Sequence, residues 1–451
     1  MSELYNFCDK ILEYAKAHCD GEFEVYATNG ESFRVEVLDG QIKTYSVNDY
    51  TGVSFRIKKN GKMGYASTTA TDEDGIPELV LNASANAEII ENPDEQFIYG
   101  GAEKYPEPKV YGEELDTVTA EEKINLAKLL EKKALEADEK IIKVEESAVI
   151  SGKSTLIIKN SNGMDVCSKS NFIAAYVVPI ASDGEQMNNG FGILGGFDRA
   201  CLDADKAVKN GVTEAIDFLG AKSVKSASMR VIFRNSAFCD MIETFSGIFS
   251  SDAAQRGLSM LAGKEGEKIA ADCVTLTDDS TTDFGFGSRP FDAEGVAGQK
   301  TVVVENGVLK TLLYNLKTAH KAGVKSTGNA SKGGYTSPVG ISVTNFTLTP
   351  GEKTLEALCE KMGGGIIITE VSGLHAGANA VTGDFSLMAK GYLVEGGKQG
   401  RAVTGVTVSG NFYELLKNIE EPGSDVYHNM FGAAISSPSV LISAPMSVAG
   451  E

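Results

Sequence analysis

The sequence predicts an α+β protein in two parts: an N-terminal α/β domain with antiparallel strands and long helices, and a C-terminal β-rich domain with a curved or barrel-like sheet. Three observations predict this class. The chain has 451 residues, which exceeds a single ordinary hydrophobic core. Apolar and polar residues alternate in the early segments, as in half-buried strands. After Met229, helical spacing becomes rare and glycine-marked strand pairs become frequent. We therefore expect domains at residues 1–221 and 222–451.

The elements of the N-terminal part follow from spacing and turn residues. Apolar residues at helical intervals near the start predict an amphipathic first helix. The dipeptides Asp39-Gly40 and Asn60-Gly61 predict tight hairpin turns, because they accept a positive φ. Two further strand-like runs meet at Asn162-Gly163. Helices are also predicted over residues 76–90, over Ala120–Ile142 with Thr119 as its N-cap, and over Asp203–Leu219.

The C-terminal part reads as strand pairs separated by Asn306-Gly307 and Gly396-Gly397. Its last stretch, Val426–Gly450, has no Asp, Glu, Lys or Arg and has the length of a membrane span. Pro438 and Pro445 would leave backbone groups unsatisfied in lipid, so we expect buried strands there and no membrane association. A cytoplasmic location is the corresponding expectation.

The charge and the cysteines exclude several classes of protein. The formal net charge is −20 and the pI is about 4.8, so the field of the chain repels phosphate backbones. We expect no direct nucleic-acid binding. The seven cysteines include no C-x-x-C pair, which argues against both a disulfide framework and a zinc ribbon. Reduced, buried thiols are expected instead.

Several motifs imitate catalytic or binding signatures. Ser151–Thr155 resembles the end of a phosphate-binding loop, but a strand follows it where a helix is needed. Gly190–Gly195 matches G-x-G-x-x-G without opening a helix, so we expect a flexible loop. No two of the four histidines lie three to five residues apart, as a helix-borne zinc site requires. Cys239, beside Asp240, is a candidate thiol nucleophile, although a buried structural cysteine is the expected reading.

A set of longer motifs carries a family resemblance. The runs GKEGEKIA from Gly263, GFGSRPFDAEGVAGQKTVVVENG and ITEVSGLHAGANAVTGDF resemble the TldD/PmbA family, historically labelled modulators of DNA gyrase. The early segments VEVLDGQIKTYSV and GVSFRIKK also look like that family's N-terminal domain. The resemblance covers nearly the whole chain and is densest from Gly263 onward.

The resemblance implies which subunit type this chain is. The catalytic TldD-type subunit carries a His-Glu-x-x-x-His motif that opens a helix, with a C-terminal cysteine as third zinc ligand. The corresponding stretch here, Val231–Ile242, contains no histidine, and the chain from Asp425 onward contains no cysteine. The resemblance therefore implies the PmbA/TldE type. We expect no catalytic, cofactor-binding or metal-binding residue in this chain, and zinc only in a TldD-type partner.

The resemblance also implies partners and a site. We expect a heterodimer with a TldD-like subunit and an extended, unfolded or modified peptide as substrate, and the sequence leaves open a homodimer in isolation. A polar set on motif-rich loops of the second domain either lines the peptide cleft or forms tight, hydrogen-bonded turns. For His375 we favour a hydrogen-bonded loop residue over a metal ligand. The set comprises Arg289, Asp292, Glu294, Asn329, His375 and Asp384.

Two other functions remain open from the sequence. The chain could be a non-enzymatic binding protein that modulates a topoisomerase or another partner, as the older family label suggests. It could also be a self-sufficient hydrolase that uses Cys239 or a serine as nucleophile. Cleavage by the isolated chain that resists chelators would favour the hydrolase, whereas a stable complex without any effect on peptidases would favour the binding protein.

Overall fold

The computed structural model describes residues 2–91, 94–430 and 432–450. One antiparallel sheet occupies the N-terminal half, in the order β3-β2-β1-β4-β5-β6, with β7 also paired to β5. Its strands are β1 (Glu22–Leu38), β2 (Gln41–Lys59), β3 (Lys62–Thr68), β4 (Ile141–Asn160), β5 (Asp165–Ser182), β6 (Met187–Asn189) and β7 (Gly192–Gly196). The helices of this half are α1 (Ser2–His18), α2 (Ile76–Ile89), α3 (Ala120–Ala137) and α4 (Ala204–Asp217).

All four helices pack on the same face of this first sheet. Phe23 and Val25 of β1 pack in a cluster with α1 and α2, while Val35 and Val37 pack with α3 and α4. These are odd-numbered residues. Because side chains alternate along a strand, the even-numbered residues of β1 point to the opposite face. That face is left for the C-terminal half and for solvent.

The predicted turns are confirmed by their backbone angles. Asp39 and Gly40 have φ of +52° and +72°, and Asn60-Gly61 and Asn306-Gly307 have similar positive values. Positive φ at both central residues belongs to the type I′ hairpin, whose twist matches that of the flanking strands. The capping box at Thr119 is also present, because its Oγ1 accepts the N–H of Glu122 at 3.2 Å.

The helix predicted over Ala120–Ile142 is too long by five residues, because α3 ends at Ala137 and β4 begins at Ile141. Asp138 has φ −157° and ψ 144°, and its Oδ1 accepts the N–H of Lys140 at 2.9 Å. This local turn ends the helix. Ile141 continues the helical spacing of apolar residues, yet it is buried as the first residue of a strand.

The flexible loop predicted for Gly190–Gly195 is wrong, because Gly192–Gly196 is the strand β7, paired with β5. A Cβ on Gly192 would overlap the carbonyl oxygen of Ala207, and one on Gly190 would overlap that of Gly211. Both carbonyls belong to α4. The glycines of this run therefore allow a helix to lie directly against the sheet edge.

The C-terminal half contains three sheets and short helices. An eight-stranded sheet has the order β19-β22-β9-β16-β17-β18-β23-β8, a six-stranded sheet has the order β12-β11-β10-β15-β21-β20, and β13 pairs with β14. The predicted curved sheet is confirmed, since the sheet curls into a half-barrel. The strands are β8 (Ala227–Met229), β9 (Val231–Phe233), β10 (Leu276–Asp279), β11 (Lys300–Glu305), β12 (Val308–Leu309), β13 (Ala330–Ser331), β14 (Gly340–Ile341), β15 (Asn345–Leu348), β16 (Gly364–Ser372), β17 (Asp384–Glu395), β18 (Lys398–Asn411), β19 (Ile419–Pro422), β20 (Tyr427–His428), β21 (Ala434–Ser437), β22 (Val440–Ile442) and β23 (Met446–Ala449).

The helices of this half are α5 (Asn235–Phe245), α6 (Ser251–Gln255), α7 (Leu316–Ala322), α8 (Leu355–Met362), α9 (Leu374–Gly377) and α10 (Phe412–Lys417). The buried side of α5 is part of the largest hydrophobic core, where Phe245 stacks on Phe412 with ring centroids 4.5 Å apart. The uncharged stretch Val426–Gly450 supplies four short strands, as predicted. In the described part of the chain, none of the helices is long and apolar enough to cross a membrane.

Candidate functional site

Helix α5 begins at a polar junction of three segments. Asn235 Nδ2 donates to the carbonyl oxygen of Asp425 at 2.9 Å and lies 3.2 Å from its Oδ2. Ser236 Oγ donates to the carbonyl oxygen of Thr369 in β16 at 3.4 Å. The first turn of α5 is therefore held between β16 and the chain that leads into β20. Its side chains are occupied in structural hydrogen bonds.

Cys239 and Asp240 lie next to each other on α5 but differ in environment. Cys239 is fully buried in the core, and burial raises the pKa of its thiol to about 12. A thiol with that pKa is not a thiolate at neutral pH, which argues against the Cys239 nucleophile. Asp240 is partly exposed. Burial, and then the nearby Glu243 and Glu370, raise the pKa of its carboxyl group to about 6.

Lys390 of β17 joins the Asp240 region to the N-terminal half. Its Nζ lies 2.6 Å from Glu370 Oε2 and 3.0 Å from Oε1 of Glu214, which is on α4. Burial lowers the pKa of Lys390, but the two carboxylates outweigh that effect and raise it. Glu214 Oε2 also accepts the backbone N–H of Phe191 at 2.9 Å. One ammonium group therefore connects β16, β17 and α4.

The polar contacts continue on the helix-free face of the first sheet. The Phe191 ring packs on Tyr176, with centroids 5.7 Å apart. Arg34 Nη2 donates to the Tyr176 hydroxyl at 2.8 Å, and both side chains contact Glu146. Burial, followed by the hydrogen bond to Glu146, raises the pKa of Tyr176 to about 12. The hydroxyl therefore stays protonated at physiological pH.

Aromatic rings lie over glycines on the same face. Gly152 is directly opposite Phe172 across β4 and β5, and a Cβ at Gly152 would lie 2.8 Å from that ring. Gly30 is opposite Tyr50 in the same way, and a Cβ there would overlap the Tyr50 side chain. Phe172 and Tyr50 are 37% and 45% exposed. The glycines thus let the rings lie flat and leave an open, partly aromatic surface.

These contacts run from the first sheet to Glu370, whose charge acts on Asp240 of α5, and we call the whole series the cleft line. It carries both signs of charge and runs where the two halves meet. The sequence prediction missed it, although the alternation in DFSLMAKGYLVE could have placed Ser386, Met388 and Lys390 on one face of a strand. The cleft line comprises Arg34, Glu146, Tyr176, Phe191, Glu214, Lys390, Glu370 and Asp240.

Four residues of the predicted polar set lie together at a second place where the two halves touch, apart from the cleft line. Asp292, Glu294 and Asn329 are 0%, 4% and 1% exposed, and Arg289 is partly buried beside them. Asp292 accepts the N–H groups of Glu294, Val296 and Ala330 at 2.8–3.0 Å. Asn329 Nδ2 donates to Asp278 Oδ2 at 2.6 Å. These side chains hold tight turns, and their predicted contact with a peptide stays a prediction.

The turns held by Asp292 and Asn329 lie close to a buried ion pair of the first sheet. Arg56 of β2 and Glu24 of β1 are 6% and 2% exposed, and Arg56 Nε donates to Glu24 Oε1 at 2.8 Å. Burial, and then Asp292, raise the pKa of Glu294, which Arg56 opposes. Lys332 lies 4.2 Å above the Tyr26 ring, and burial lowers the pKa of Lys332 to about 8. Lys332 Nζ also donates to Ser54 Oγ of β2 at 3.2 Å, so buried charged groups of the two halves lie close together here.

The other two predicted residues are far less buried. His375 is exposed on the short helix α9, and its assignment as a hydrogen-bonded loop residue stays a prediction. Asp384 opens β17 and accepts the Asn411 side chain at 2.9 Å, which lowers the pKa of Asp384. The structure brings neither residue to the turns of Asp292. Asp384 borders a shallow depression with Asn379 and Ser386.

The thiols follow the prediction in part. All seven cysteines are free, and Cys8, Cys239 and Cys359 are buried. Cys167 and Cys273 are exposed, so the expectation of buried thiols is wrong for these two. Both lie outside the hydrophobic clusters, Cys167 on an outward position of β5.

The residues around α5 do not fit a catalytic zinc ion. Such a site needs three protein ligands, drawn from imidazole, thiolate and carboxylate groups. Asn235 offers an amide already bound to Asp425, the Cys239 thiol points into the core, and Asp240 is a single carboxyl group. Across residues 2–91, 94–430 and 432–450, no group of three or more His, Cys, Asp or Glu side chains could hold a metal ion.

The fold and the site describe a class of protein: a two-part α+β chain whose halves meet through polar and charged side chains. Family models for PmbA/TldA metallopeptidases match most of its length, domain 1 at residues 23–87, the central domain at 113–232 and the C-terminal domain at 226–450. The chain belongs to the PmbA/TldD metallopeptidase family, as its motifs indicated. The division between residues 221 and 222 stays a prediction.

Relatives match the chain over most of its length. An uncharacterized protein of Methanocaldococcus jannaschii is 33% identical, covering 88% of this chain and 90% of its own. The metalloprotease PmbA of Escherichia coli is 27% identical, covering 92% and 90%. A Thermotoga maritima crystal structure, named as a modulator of a DNA gyrase, has a TM-score of 0.91 at 32% identity, covering 99% and 100%. TldE from Thermococcus kodakarensis shares the fold, with a TM-score of 0.87 at 23% identity, covering 98% and 100%.

Proposed function

We propose that this chain is the subunit without zinc ligands of a cytoplasmic TldD/TldE-like metalloprotease complex. It assembles with a TldD-like subunit and supplies one wall of the cleft that holds an unfolded or modified peptide. The zinc ion and the attack on the peptide bond belong to the partner. The observation that carries the proposal is the set of side chains on α5, where Asn235, Ser236 and Asp240 stand at the start and on the outward side.

The position of α5 supports this proposal. The His-Glu-x-x-x-His motif of TldD-type subunits opens a helix, and α5 is the helix of the corresponding stretch. If the motif begins at the first helical residue, its two histidines and its glutamate fall at Asn235, Asp240 and Ser236. None of these residues provides an imidazole, and the pKa of about 6 leaves Asp240 partly protonated near neutral pH. Zinc binding and water activation both need different groups.

Reconstitution with a partner tests the proposal. The chain is purified alone and mixed with the TldD-like protein of the same organism, and co-elution, zinc content and cleavage of an unfolded peptide are measured. We expect cleavage only in the mixture, with zinc following the partner and a chelator abolishing activity. Stoichiometric zinc and chelator-sensitive cleavage by the isolated chain would contradict the proposal. Binding to gyrase without any effect on the partner's peptidase would favour the binding-protein alternative.

The cleft line makes a sharper prediction for the same complex. Lys390→Gln removes the positive charge between Glu214 and Glu370, which leaves an acidic wall beside Asp240. We expect kcat/KM for an acidic unfolded peptide to fall about tenfold, which corresponds to about 1.4 kcal/mol, while co-elution with the partner is kept. Lys398→Gln, an exposed lysine at the start of β18, is the matched control and should leave kcat/KM unchanged. Equal kinetics for both variants would remove Lys390 from the peptide site.

A further inference from the structure

Strand β18 departs from regular pairing with β17 at two places. The register shifts twice, and each time two residues of β18 lie opposite one residue of β17. The bulged residues are Gly400-Arg401 and Thr404-Gly405, and Gly405 has a φ of +66°. Such β-bulges change the direction of side chains and are over-represented next to active sites. Both bulges contribute to the wall of one surface depression of about 790 Å³ between β18 and residues 221–225, which we call the Arg401 pocket.

The guanidinium group of Arg401 is held in place by backbone carbonyl groups. Its Nη1 donates to the carbonyl oxygens of Lys222 at 2.9 Å and Ala402 at 3.3 Å, and its Nη2 donates to that of Ser223 at 3.1 Å. These bonds use three of the five N–H groups of the side chain. Nε and Nη2 each keep one N–H group, and none of the described residues accepts from them. The edge between these two atoms is the one that binds both oxygens of a carboxylate.

The charges around the Arg401 pocket are all positive. Lys222 and Lys225 line it together with Arg401, and the described residues of its wall include no Asp or Glu. Both lysines are exposed, and neither forms an ion pair within the part of the chain that the structure describes. The whole chain has 62 acidic and 42 basic residues, so this local excess of cations runs against its composition. A concave site lined by one sign of charge concentrates ions of the opposite sign.

The floor of the Arg401 pocket is a packed hydrophobic cluster. The Phe218 ring lies 5.2 Å from that of Tyr392, and Ala402 of β18 packs against them. The Tyr392 hydroxyl donates to Asp217 Oδ2 at 3.0 Å, so this carboxylate has a partner below the pocket. Leu393 supplies apolar surface within the pocket. The cavity is therefore largely formed before a ligand arrives, as small-molecule sites usually are.

We propose that the Arg401 pocket binds a small di- or tricarboxylate. One carboxylate pairs with the Nε–Nη2 edge of Arg401, a second lies between Lys222 and Lys225, and the carbon skeleton lies on Leu393. A ligand of this kind ties the segment after α4 to β18. The pocket shares no residue with the cleft line, so the proposal is independent of the proposed function.

The size and the charges of the Arg401 pocket select this ligand class. A volume of about 790 Å³ is within the range of small-molecule sites, which is about 300–1,000 Å³. Three cations balance a tricarboxylate, whereas a single carboxylate would leave two of them unpaired. A carboxylate is planar, and it forms two parallel hydrogen bonds with the guanidinium fork. The same groups also occur as acidic side chains of a polypeptide, and the experiment below separates these two sources.

Calorimetric titration of the full-length chain with citrate tests the proposal. Ionic strength is held constant with sodium chloride, because added salt screens exposed charges. We expect one site with a dissociation constant of about 1 mM or tighter. Arg401→Lys keeps the charge and removes the fork, and it should raise the dissociation constant at least about tenfold, equal to about 1.4 kcal/mol. Arg256→Lys, at an exposed arginine paired with Asp252, is the matched control and should leave it unchanged.

A second variant separates binding from local structure. Lys225→Gln leaves the bonds of Arg401 to the backbone intact, and it should raise the dissociation constant for citrate at least about threefold through the lost charge. Citrate should also raise the melting temperature of the parent chain, and this shift should be smaller in both pocket variants. Circular dichroism verifies that all variants fold.

Three further probes distinguish the ligand classes. Succinate should bind more weakly than citrate, and inorganic phosphate and a glutamate-rich peptide should bind more weakly still. Tighter binding of phosphate would overturn the preference for carboxylates, and tighter binding of the peptide would overturn the assignment to a small molecule. Absence of citrate binding at 1 mM and above, or binding that Arg401→Lys and Lys225→Gln leave unchanged, would overturn the site itself.

Discussion

Replacing Arg56 by alanine is expected to lower the free energy of unfolding by about 3–5 kcal/mol. The substitution leaves Glu24, only 2% exposed, buried without its partner. It also removes the positive charge that acts against the raised pKa of Glu294. Glu24 is shielded from bulk solvent, so its carboxylate is poorly solvated once the guanidinium is gone. Denaturation by urea at neutral pH, followed by circular dichroism, measures the loss.

An exposed ion pair provides the control for Arg56→Ala. Lys132 and Glu136 on α3 are 3.9 Å apart and 69% and 64% exposed. Solvent screens such a pair, so Lys132→Ala should cost no more than about 0.5 kcal/mol. A further variant, Arg56→Met with Glu24→Met, removes both buried charges and should recover much of the stability. If Arg56→Ala were as mild as Lys132→Ala, Glu24 would not depend on Arg56 for its stability as a buried charge.

Glu294→Gln is expected to change how stability depends on pH. Burial and the neighbouring Asp292 raise the pKa of Glu294 above 4.5, its ordinary value. The folded chain therefore holds a proton on this group that the unfolded chain has lost, so the stabilisation is present below pH 4.5 and is lost as pH rises. Each unit by which the pKa is raised corresponds to about 1.4 kcal/mol. Glutamine stays neutral and can still accept the Leu316 N–H, now 2.8 Å from Glu294 Oε2.

The free energy of unfolding of both chains should be measured from pH 5 to pH 9. We expect the parent chain to lose at least about 1.4 kcal/mol more than Glu294→Gln over this range. Glu352→Gln, at an exposed loop position, is the matched control and should follow the parent chain. Parallel curves for the parent and Glu294→Gln would show that Glu294 is ionised in the folded protein throughout.

Local chemistry made the turns and caps predictable. Asp39-Gly40 and Asn306-Gly307 adopt positive φ because Asp and Asn tolerate the left-handed region and glycine has no side chain to oppose it, whatever surrounds the turn. Thr119 and Glu122 satisfy each other's backbone groups within one turn. Where neighbours in space decide, sequence reasoning was wrong. Gly192 is in a strand because α4 lies against it, and the sequence around Gly192 does not contain that information.

The candidate site was predictable only in part, and for a related reason. The absence of histidine from Val231–Ile242 and the resemblance of the motifs could be read directly, and they led to the family. The polar set around Asp292 was also found, because Gly and Asp clusters mark functional and structural turns alike. How deeply the side chains of a turn are buried distinguishes a structural turn from a functional one. Burial cannot be read from the local sequence. The cleft line joins residues as distant as Arg34 and Lys390, whose proximity depends on how the halves pack.

The sequence by itself determined the family, the hairpin turns, the capping box and the types of side chain available on α5, because each depends on residues that are neighbours along the chain. Only the tertiary structure decided that Glu24 and Arg56 form a buried pair, that Lys390 links β17 to α4, and that Arg401 lies where β18 bulges against β17. Burial, charge pairing and strand pairing arise between segments far apart in sequence. Their energies are fixed by what surrounds a group in space and not by its neighbours in the chain.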